Sequence, residues 1–329
     1  MKKVLVTGGA GFIGSNLVDR LVEAGHKVVV LDNFVTGSLS NLKKYKKKIK
    51  IIKIDIFKAD EKVLQKYFVK VDWVVHLAAL ADIVPSITNP KDYFNTNVVG
   101  TFKILEAARK SKVKKFIYAA SASCYGIPNN FPTSEKDKID KHYPYALTKN
   151  LGEELALHWA KVYKMPNVSL RFFNVYGPRS RTSGAYGAVF GVFLAQKISN
   201  KPLTVVGDGN QTRDFVHVYD LVDAIILALN KKNISGHIYN VGGGKEVKIN
   251  TIAKLIGGKI INIPKRPGEP DRSLADITKI KKSLKWKPKI DIKEGVEMLL
   301  KQINYWKEAP VWSPKKIEKI TKEWFKLLK

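Results

Sequence analysis

Val4-Leu5-Val6-Thr7-Gly8-Gly9-Ala10-Gly11-Phe12-Ile13-Gly14 stands near the start of the chain, followed by Ser15-Asn16-Leu17-Val18-Asp19-Arg20-Leu21. An apolar run, a glycine turn and a helical pattern follow one another. The G-x-x-G-x-x-G spacing leaves room for a pyrophosphate where strand becomes helix. Gly8 suits the tight turn, Gly11 lets backbone approach phosphate, and Gly14 lets the helix pack closely on a sheet. The helix N-terminus then turns its N–H groups and positive dipole end toward the phosphates. Gly25-His26 closes that helix, and Lys27 to Leu31 reads as a second strand ending in Asp32. A carboxylate there can accept both ribose hydroxyls of an adenosine and would repel a 2′-phosphate. The expected cofactor is therefore NAD rather than NADP.

The 329 residues suffice for one large α/β domain or two unequal lobes, and 45% are apolar. No apolar run is long enough to span a bilayer, so no integral membrane contact is expected. Cys124 is the single cysteine, which fits a reducing cytoplasm. The formal net charge of +29 invites a nucleic-acid reading. Lysines dominate it, though, at surface-type positions such as Lys43, Lys44, Lys46, Lys47 and Lys48, with few aromatics between them. A solvated lysine-rich surface accounts for this without a nucleic-acid partner, and its field draws anionic ligands. Arginine is scarce. Six of the eight arginines follow residue 170, a pattern suited to recognising an anion such as a diphosphate.

Strand-like runs recur at Val4–Val6, Val28–Leu31, Ile51–Ile54, Trp73–Leu77, Phe116–Ala119 and Ser169–Phe172, with helical patterns between them at Ser15–Ala24, Asn95–Ser111 and Pro144–Tyr163. The alternation predicts an α/β fold with a doubly wound parallel sheet. Residues 1 to about 170 read as the cofactor domain, with parts of 214–240 returning to its sheet. Residues 171–305 read mainly as a smaller, loop-rich substrate lobe, and residues 306–329 as a basic tail. In that tail Ile317, Ile320, Trp324 and Leu327 or Leu328 fall on one helical stripe, suited to packing on its own domain or on a partner subunit.

Tyr145 and Lys149 stand four apart in a helical stretch, hence on one face. An ammonium beside a phenol lowers the phenol's pKa, and a phenolate is a suitable base for an alcohol. Upstream, Phe116 to Gly126 reads as a buried strand ending in Ser121 and Ser123, whose hydroxyls can hydrogen-bond a substrate oxygen or simply end the strand.

With these residues in place the chain resembles the extended short-chain dehydrogenase/reductases, and among them the NAD-dependent sugar-nucleotide epimerase/dehydratase family, over about residues 1–305. Its further motifs here are Asp32-Asn33, Asp55-Ile56, His76-Leu77-Ala78-Ala79, Asn97-Val98-Val99-Gly100-Thr101, Tyr145-Ala146-Leu147-Thr148-Lys149, Arg171 to Arg179 and Gly207 to Val218. The likeness is greatest to UDP-hexose 4-epimerases. It implies that Tyr145, assisted by Lys149 and Ser121, deprotonates the sugar 4-hydroxyl. The C4 hydride passes to tightly held NAD and returns to the other face of a 4-keto sugar that has swung over.

The same resemblance implies Asp55 and Ile56 at the adenine, Leu77, Ala78 and Ala79 along the cofactor, and Asn97 near its pyrophosphate. Phe12, Ile13, Asn33, Thr36, Gly37 and Phe173 complete the cofactor contacts. Asn174, Arg213 and Arg266 would hold the UDP diphosphate. Ala188, Val189 and the Thr204–Val206 strand would frame the uridine, with Glu269 near its ribose and Ala81, Ser123 and Ser273 toward the sugar. A homodimer through helices near Asn95–Arg109 and Pro144–Tyr163 is also implied, and no metal ion.

Departures from the family pattern narrow the chemistry. The 4,6-dehydratases resembling this fold carry an Asp-Glu pair after the strand ending at Ser121, and decarboxylating relatives a glutamate. Ala122-Ser123-Cys124 offers no carboxylate there. Ser273 stands where a bulky tyrosine accompanies restriction to glucose and galactose. Serine leaves room for an N-acetyl group, so UDP-GlcNAc/UDP-GalNAc interconversion is expected beside UDP-Glc/UDP-Gal. Gly184 to Val189 also resembles the N-acetylhexosamine epimerases. The alternative is a UDP-glucuronate 4-epimerase or another nucleotide-sugar enzyme of the family. A non-catalytic NAD-binding scaffold would need none of Ser121, Tyr145 and Lys149.

Overall fold

The computed structural model describes residues 1–180 and 188–328. Twelve strands are found among them. In chain order they are β1 (Lys3–Thr7), β2 (Lys27–Asp32), β3 (Lys50–Lys53), β4 (Trp73–His76), β5 (Lys115–Ser121), β6 (Asn167–Phe172), β7 (Asn174–Tyr176), β8 (Leu203–Val206), β9 (Thr212–His217), β10 (His237–Val241), β11 (Glu246–Lys248) and β12 (Ile260–Ile263). Seven form one sheet in the order β10-β6-β5-β4-β1-β2-β3, and every pairing in it is parallel. Val4, Leu5 and Val6 are wholly buried, as befits a central strand covered on both faces. Strand order reverses between β1 and β4, so the chain leaves these neighbours in opposite directions. That opens a crevice beyond Thr7 and His76, the place where such sheets bind ligands. This is the doubly wound parallel sheet expected from the sequence.

The remaining strands lie on the other side of the crevice. β7, β9 and β11 make a three-stranded sheet, and β8 pairs with β12. A separate apolar core beneath them includes Phe190, Phe193, Val205, Ile252 and Trp306. Arg171 stays behind in the main sheet. Its guanidinium is buried against Glu153 at 2.5 Å and donates to Tyr125 Oη at 2.8 Å. Two sequence expectations change in detail. The helix expected over Asn95–Ser111 is Pro90–Phe94, a wider π-helical turn at Asn95–Gly100, and Thr101–Lys110 in succession. In the tail, Ser313 caps a helix over Pro314–Leu327 by accepting from Lys316 N at 3.3 Å. Its buried seam is Ile317, Thr321 and Trp324, while Leu327 is 59% exposed. Ile320 packs against the same core as Ile317 and Leu328 is half-buried, so the expected stripe is joined by one hydroxyl, and Trp324 carries it to the cleft.

A directed chain of hydrogen bonds fixes the two strand ends at the crevice. Thr101 Oγ1 donates to Asn97 O at 2.6 Å, so it accepts from His76 Nε2 at 2.9 Å. His76 Nδ1 is then left to accept from the Thr7 hydroxyl at 2.6 Å. The Thr7 oxygen accepts in turn from Ala78 N at 3.2 Å. Burial drives the His76 imidazole down to about 3, so it is neutral and its tautomer is set. Thr101→Val keeps the shape and strands the buried Nε2–H. It should cost about 1–3 kcal/mol, read as a lower urea midpoint. An unchanged midpoint would remove this chain from the list of structural constraints.

Candidate active site

One cleft runs from the crevice at β1 and β4 to the smaller sheets. At its first end, Gly8 sits at φ +68°, a conformation that disfavours a side chain, and a Cβ there would lie 2.8 Å from Ala78 N. A Cβ on Gly14 would collide with the Gly8 carbonyl oxygen, whereas one on Gly11 would meet only that oxygen, at 3.2 Å. The protein interior therefore explains Gly8 and Gly14. Gly11 instead keeps backbone open to the cleft it lines. The following helix, Phe12–Glu23, has neither a side-chain cap nor an acidic residue in its first turn. Its dipole end is left to an outside anion. Asp32 accepts from Ala10 N at 2.9 Å and from Phe34 N at 2.8 Å, tying the glycine loop to the end of β2. Each oxygen keeps a second lone pair, so loop fastening and ribose binding are compatible. Phe12, Ile13, Asn33, Thr36, Gly37, Ile56, Leu77, Ala78 and Ala79 line the same end. This cradle, with its uncapped helix and a carboxylate at the end of β2, fits a dinucleotide.

Three expected cofactor residues stand just outside the lining. Asp55 is engaged by Asn33 at 3.1 Å and by Phe57 N at 2.9 Å. Phe173 belongs to the apolar core. Asn97 spends its amide on Leu80 N at 2.8 Å, Leu80 O at 3.0 Å and Thr148 Oγ1 at 3.1 Å. It braces the cofactor wall from behind.

Mid-cleft, the Pro144–Tyr163 helix presents Tyr145 and Lys149 one turn apart, and both line the cavity. Ser121, at the end of β5, accepts from Ser123 N at 3.2 Å and from Ser123 Oγ at 2.8 Å. With both lone pairs taken, its hydroxyl proton is free to point at the Tyr145 oxygen, to which it is hydrogen-bonded. Neither serine lines the cleft: Ser123 orients Ser121, which acts on it through Tyr145. The ammonium effect expected from Tyr145/Lys149 spacing is not what dominates here. Burial pushes the Tyr145 phenol up to about 12, opposed by the Ser121 bond. Burial also drives the Lys149 ammonium down to about 7. That ammonium stands 4.5 Å from the Tyr118 ring centroid, a cation–π contact. Lys149 is therefore the group poised near neutrality, and Ser121 the donor that favours a phenolate.

The far end carries Arg213 and Arg266 with Glu269 between them. Arg213 Nη2 lies 3.7 Å from one Glu269 oxygen and Arg266 Nε 3.2 Å from the other. Two guanidinium groups face one carboxylate, which leaves an excess positive charge suited to a diphosphate. Ala81, Ala188, Val189, Thr204 and Val206 line this half, while Asn174 and Ser273 do not. Asn174 instead donates to Asp214 O at 3.4 Å. Ser273 follows Arg272, which is held by Glu246 at 2.8 Å. Gly184–Gly187 lie outside the described residues. The sequence reading missed Trp312, Trp324 and Arg179, which also line the cleft. Arg179 pairs with Asp19 at 2.5 Å. Trp324 was visible only as an apolar position in the tail's stripe.

The model of the NAD dependent epimerase/dehydratase family matches residues 4–242. The chain belongs to this family. A UDP-glucose 4-epimerase of Mycolicibacterium smegmatis is 36% identical over 304 residues, covering 89% of this chain and 96% of its own. Among solved structures, the UDP-N-acetylglucosamine 4-epimerase of Methanobrevibacter ruminantium in complex with UDP-N-acetylmuramic acid is 32% identical, with a TM-score of 0.85. The match covers 92% of this chain and 99% of that one. The UDP-glucuronic acid 4-epimerase of Bacillus cereus, with UDP-glucuronic acid and NAD, is 33% identical, with a TM-score of 0.84 and the same coverage. Three sugars at nearly equal similarity mean that overall likeness identifies the enzyme family, and side chains of the site must select the sugar.

The low Lys149 value has a consequence for an epimerase-family cleft. The folded protein releases this proton near pH 7 and the unfolded chain near 10.5. Between those values the unfolded state binds more protons, so this group's contribution makes stability rise with pH, by about 1.4 kcal/mol per unit at most. Lys149→Met should flatten the rise in urea-measured stability between pH 7 and 9. Parallel profiles for variant and wild type would show that the ammonium is not held down by burial.

Proposed function

We propose that this chain is a UDP-hexose 4-epimerase acting on UDP-Glc/UDP-Gal and on UDP-GlcNAc/UDP-GalNAc. The observation that carries the reading is the order of groups along one cleft. The glycine cradle and Asp32 stand at one end, Tyr145 with Ser121 and Lys149 in the middle, and Arg213 and Arg266 at the other. Leu31, Asp32 and Ile56 bound the adenosine side. When bound there, NAD supplies a reversible hydride acceptor facing the sugar. As a phenolate, Tyr145 takes the 4-hydroxyl proton and later returns it, with Ser121 donating to the phenolate oxygen before the first transfer and again after the second. Lys149 places its positive charge on the same helical face. Arg213 and Arg266 grip the diphosphate, so the keto sugar can turn about a fixed anchor. Ala122 and Cys124 supply neither acid nor base for dehydration. The burial of Cys124, whose thiol is pushed up to about 12, leaves it unreactive.

N-acetylated substrates are favoured by the neighbour from Methanobrevibacter ruminantium and by the lack of a bulky side chain at position 273, where the small Ser273 stands outside the cleft lining. The neighbour from Bacillus cereus favours glucuronate as the competing substrate. Purified enzyme should interconvert the glucose and N-acetylglucosamine pairs when UDP-Glc, UDP-Gal, UDP-GlcNAc, UDP-GalNAc and UDP-GlcA are supplied separately and the products resolved. Turnover of UDP-GlcA alone would move the assignment to a glucuronate epimerase, and turnover of none would end the reading. Tyr145→Phe should lose activity by about 100-fold or more while still retaining NAD, seen by absorbance after gel filtration. Near-normal turnover would take Tyr145 out of its role. Ser273→Tyr should lose the N-acetylated pair selectively; equal losses on both pairs would refute a size gate.

The homodimer proposed with this function is supported by exposed apolar side chains on the two helices concerned, among them Phe94, Phe102, Leu147 and Tyr163. Light scattering should give twice the chain mass, and a monomer at micromolar concentration would overturn it.

A further inference from the structure

The C-terminal helix Pro314–Leu327 lies beyond the residues the family model matches, yet it forms part of the cleft wall. Trp324 is 2% exposed. Its indole Nε1 donates to Pro267 O at 2.7 Å, within the loop that carries Arg266 and Glu269. The Arg266 guanidinium lies 5.5 Å from its ring centroid, a cation–π contact. On another side the indole meets Tyr143 at 6.4 Å between centroids. Tyr143 immediately precedes the Pro144–Tyr163 helix and stands two residues before Tyr145. The charges felt by Tyr143 include Glu269 and Arg213 as well as the Tyr145 phenol. It therefore links the proton-transfer group to the anion-binding end from behind the cleft lining, in which it has no part. The C-terminal helix also contacts the Ile83–Thr88 helix, which follows Ala81 on the opposite lip.

We infer that Trp324 is a positioning residue for the substrate: it holds Arg266 and the 266–269 loop at the distance from Tyr145 that a nucleotide diphosphate-linked hexose requires. An arginine side chain has several rotatable bonds, and each contact that orders it beforehand removes entropy from the binding step; the indole adds to the hold that Glu269 already has on Arg266. The cation–π contact limits where the guanidinium can go, and the Pro267 hydrogen bond restricts the loop that bears it. Seated between Arg266 and Tyr143, the same indole ties the anion end of the pocket to the start of the catalytic helix. Contact with substrate through the indole itself is not required. The helix's own anchoring is independent of the ligand, since Ile317 and Thr321 are buried on the same seam.

This inference rests on the UDP-sugar reading of the cleft, and its test separates the two. UDP alone is titrated calorimetrically into full-length wild type, Trp324→Ala, Trp324→Phe and, as a solvent-face control, Lys322→Ala. NADH is titrated by fluorescence in parallel. Trp324→Ala should weaken UDP by about tenfold and raise KM for the UDP-sugar similarly, with kcat reduced far less and NADH affinity retained. Trp324→Phe keeps a ring for Arg266 and loses the Pro267 bond, so it should fall between the two. Lys322→Ala should match wild type. UDP binding by Trp324→Ala within about twofold of wild type would overturn the inference while leaving the epimerase reading intact. Equal losses of UDP and NADH affinity would also overturn it, because they mark a general loss of structure. Selective loss of UDP affinity in a protein that epimerises no sugar would sustain the inference and refute the reaction. Wild type that binds no UDP would refute both.

Discussion

The approach of the Gly14 Cα to the Gly8 carbonyl is the constraint on which the architecture depends. No side chain fits between them, so the first helix begins directly against the turn that leaves β1. Its N-terminus consequently lies at the reversal of strand order, where an anion can reach it. Asp32 then fastens Ala10 to the end of β2, and the Thr7–His76–Thr101 chain fastens β1 to β4 and the helix beyond. These ties converge on a few residues at the C-terminal edge of the sheet. The sheet supplies rigidity, and the ties convert it into fixed positions along the cleft.

Much of the main sheet was legible because its signal is local. Continuous apolar runs such as Val4–Val6 and Val28–Leu31 mark strands covered on both faces, and Gly8 to Gly14 marks the turn between strand and helix. The Tyr145–Lys149 spacing could place two side chains on one face. It could not tell what surrounds them. Whether an ammonium lowers a phenol's pKa depends on burial and on where Lys149 Nζ points, and both are tertiary properties. Here the nitrogen is set over Tyr118, a residue of β5 brought beside the helix only by folding. Asn97 shows the same limit. Its motif marked the neighbourhood of the cofactor, while its role as a brace follows from a loop at Leu80 and a helix residue at Thr148. The π-helical turn at Asn95–Gly100 has no periodicity of its own in so short a segment. In the tail the 3.6-residue stripe was readable, but its ends were blurred. Thr321 is drawn into the seam because its hydroxyl bonds back to Ile317 O at 2.8 Å, which satisfies it without water.

The arginines illustrate how composition misleads when it is read without geometry. Their concentration after residue 170 suggested a single anion-binding purpose. Arg171 instead neutralises buried Glu153, Arg179 pairs with Asp19, and Arg272 pairs with Glu246. Arg213 and Arg266 are the two whose shared carboxylate partner, Glu269, sits with them on the cleft. Partnership separates them: Arg171, Arg179 and Arg272 each pair with a different carboxylate, whereas Arg213 and Arg266 share Glu269.

Glu269 also acts as a placeholder. Its two oxygens face two like-charged groups, and in the proposed function a diphosphate would claim part of that place. On the proposed function, entry of that guest would be an exchange: one carboxylate would give up part of its contact and two phosphate groups would take it over. The repulsion between the arginines is already offset in the folded chain, so that cost does not fall on the arriving ligand. What such a ligand would have to meet is the displacement of a single side chain, which would recover hydration as it yields.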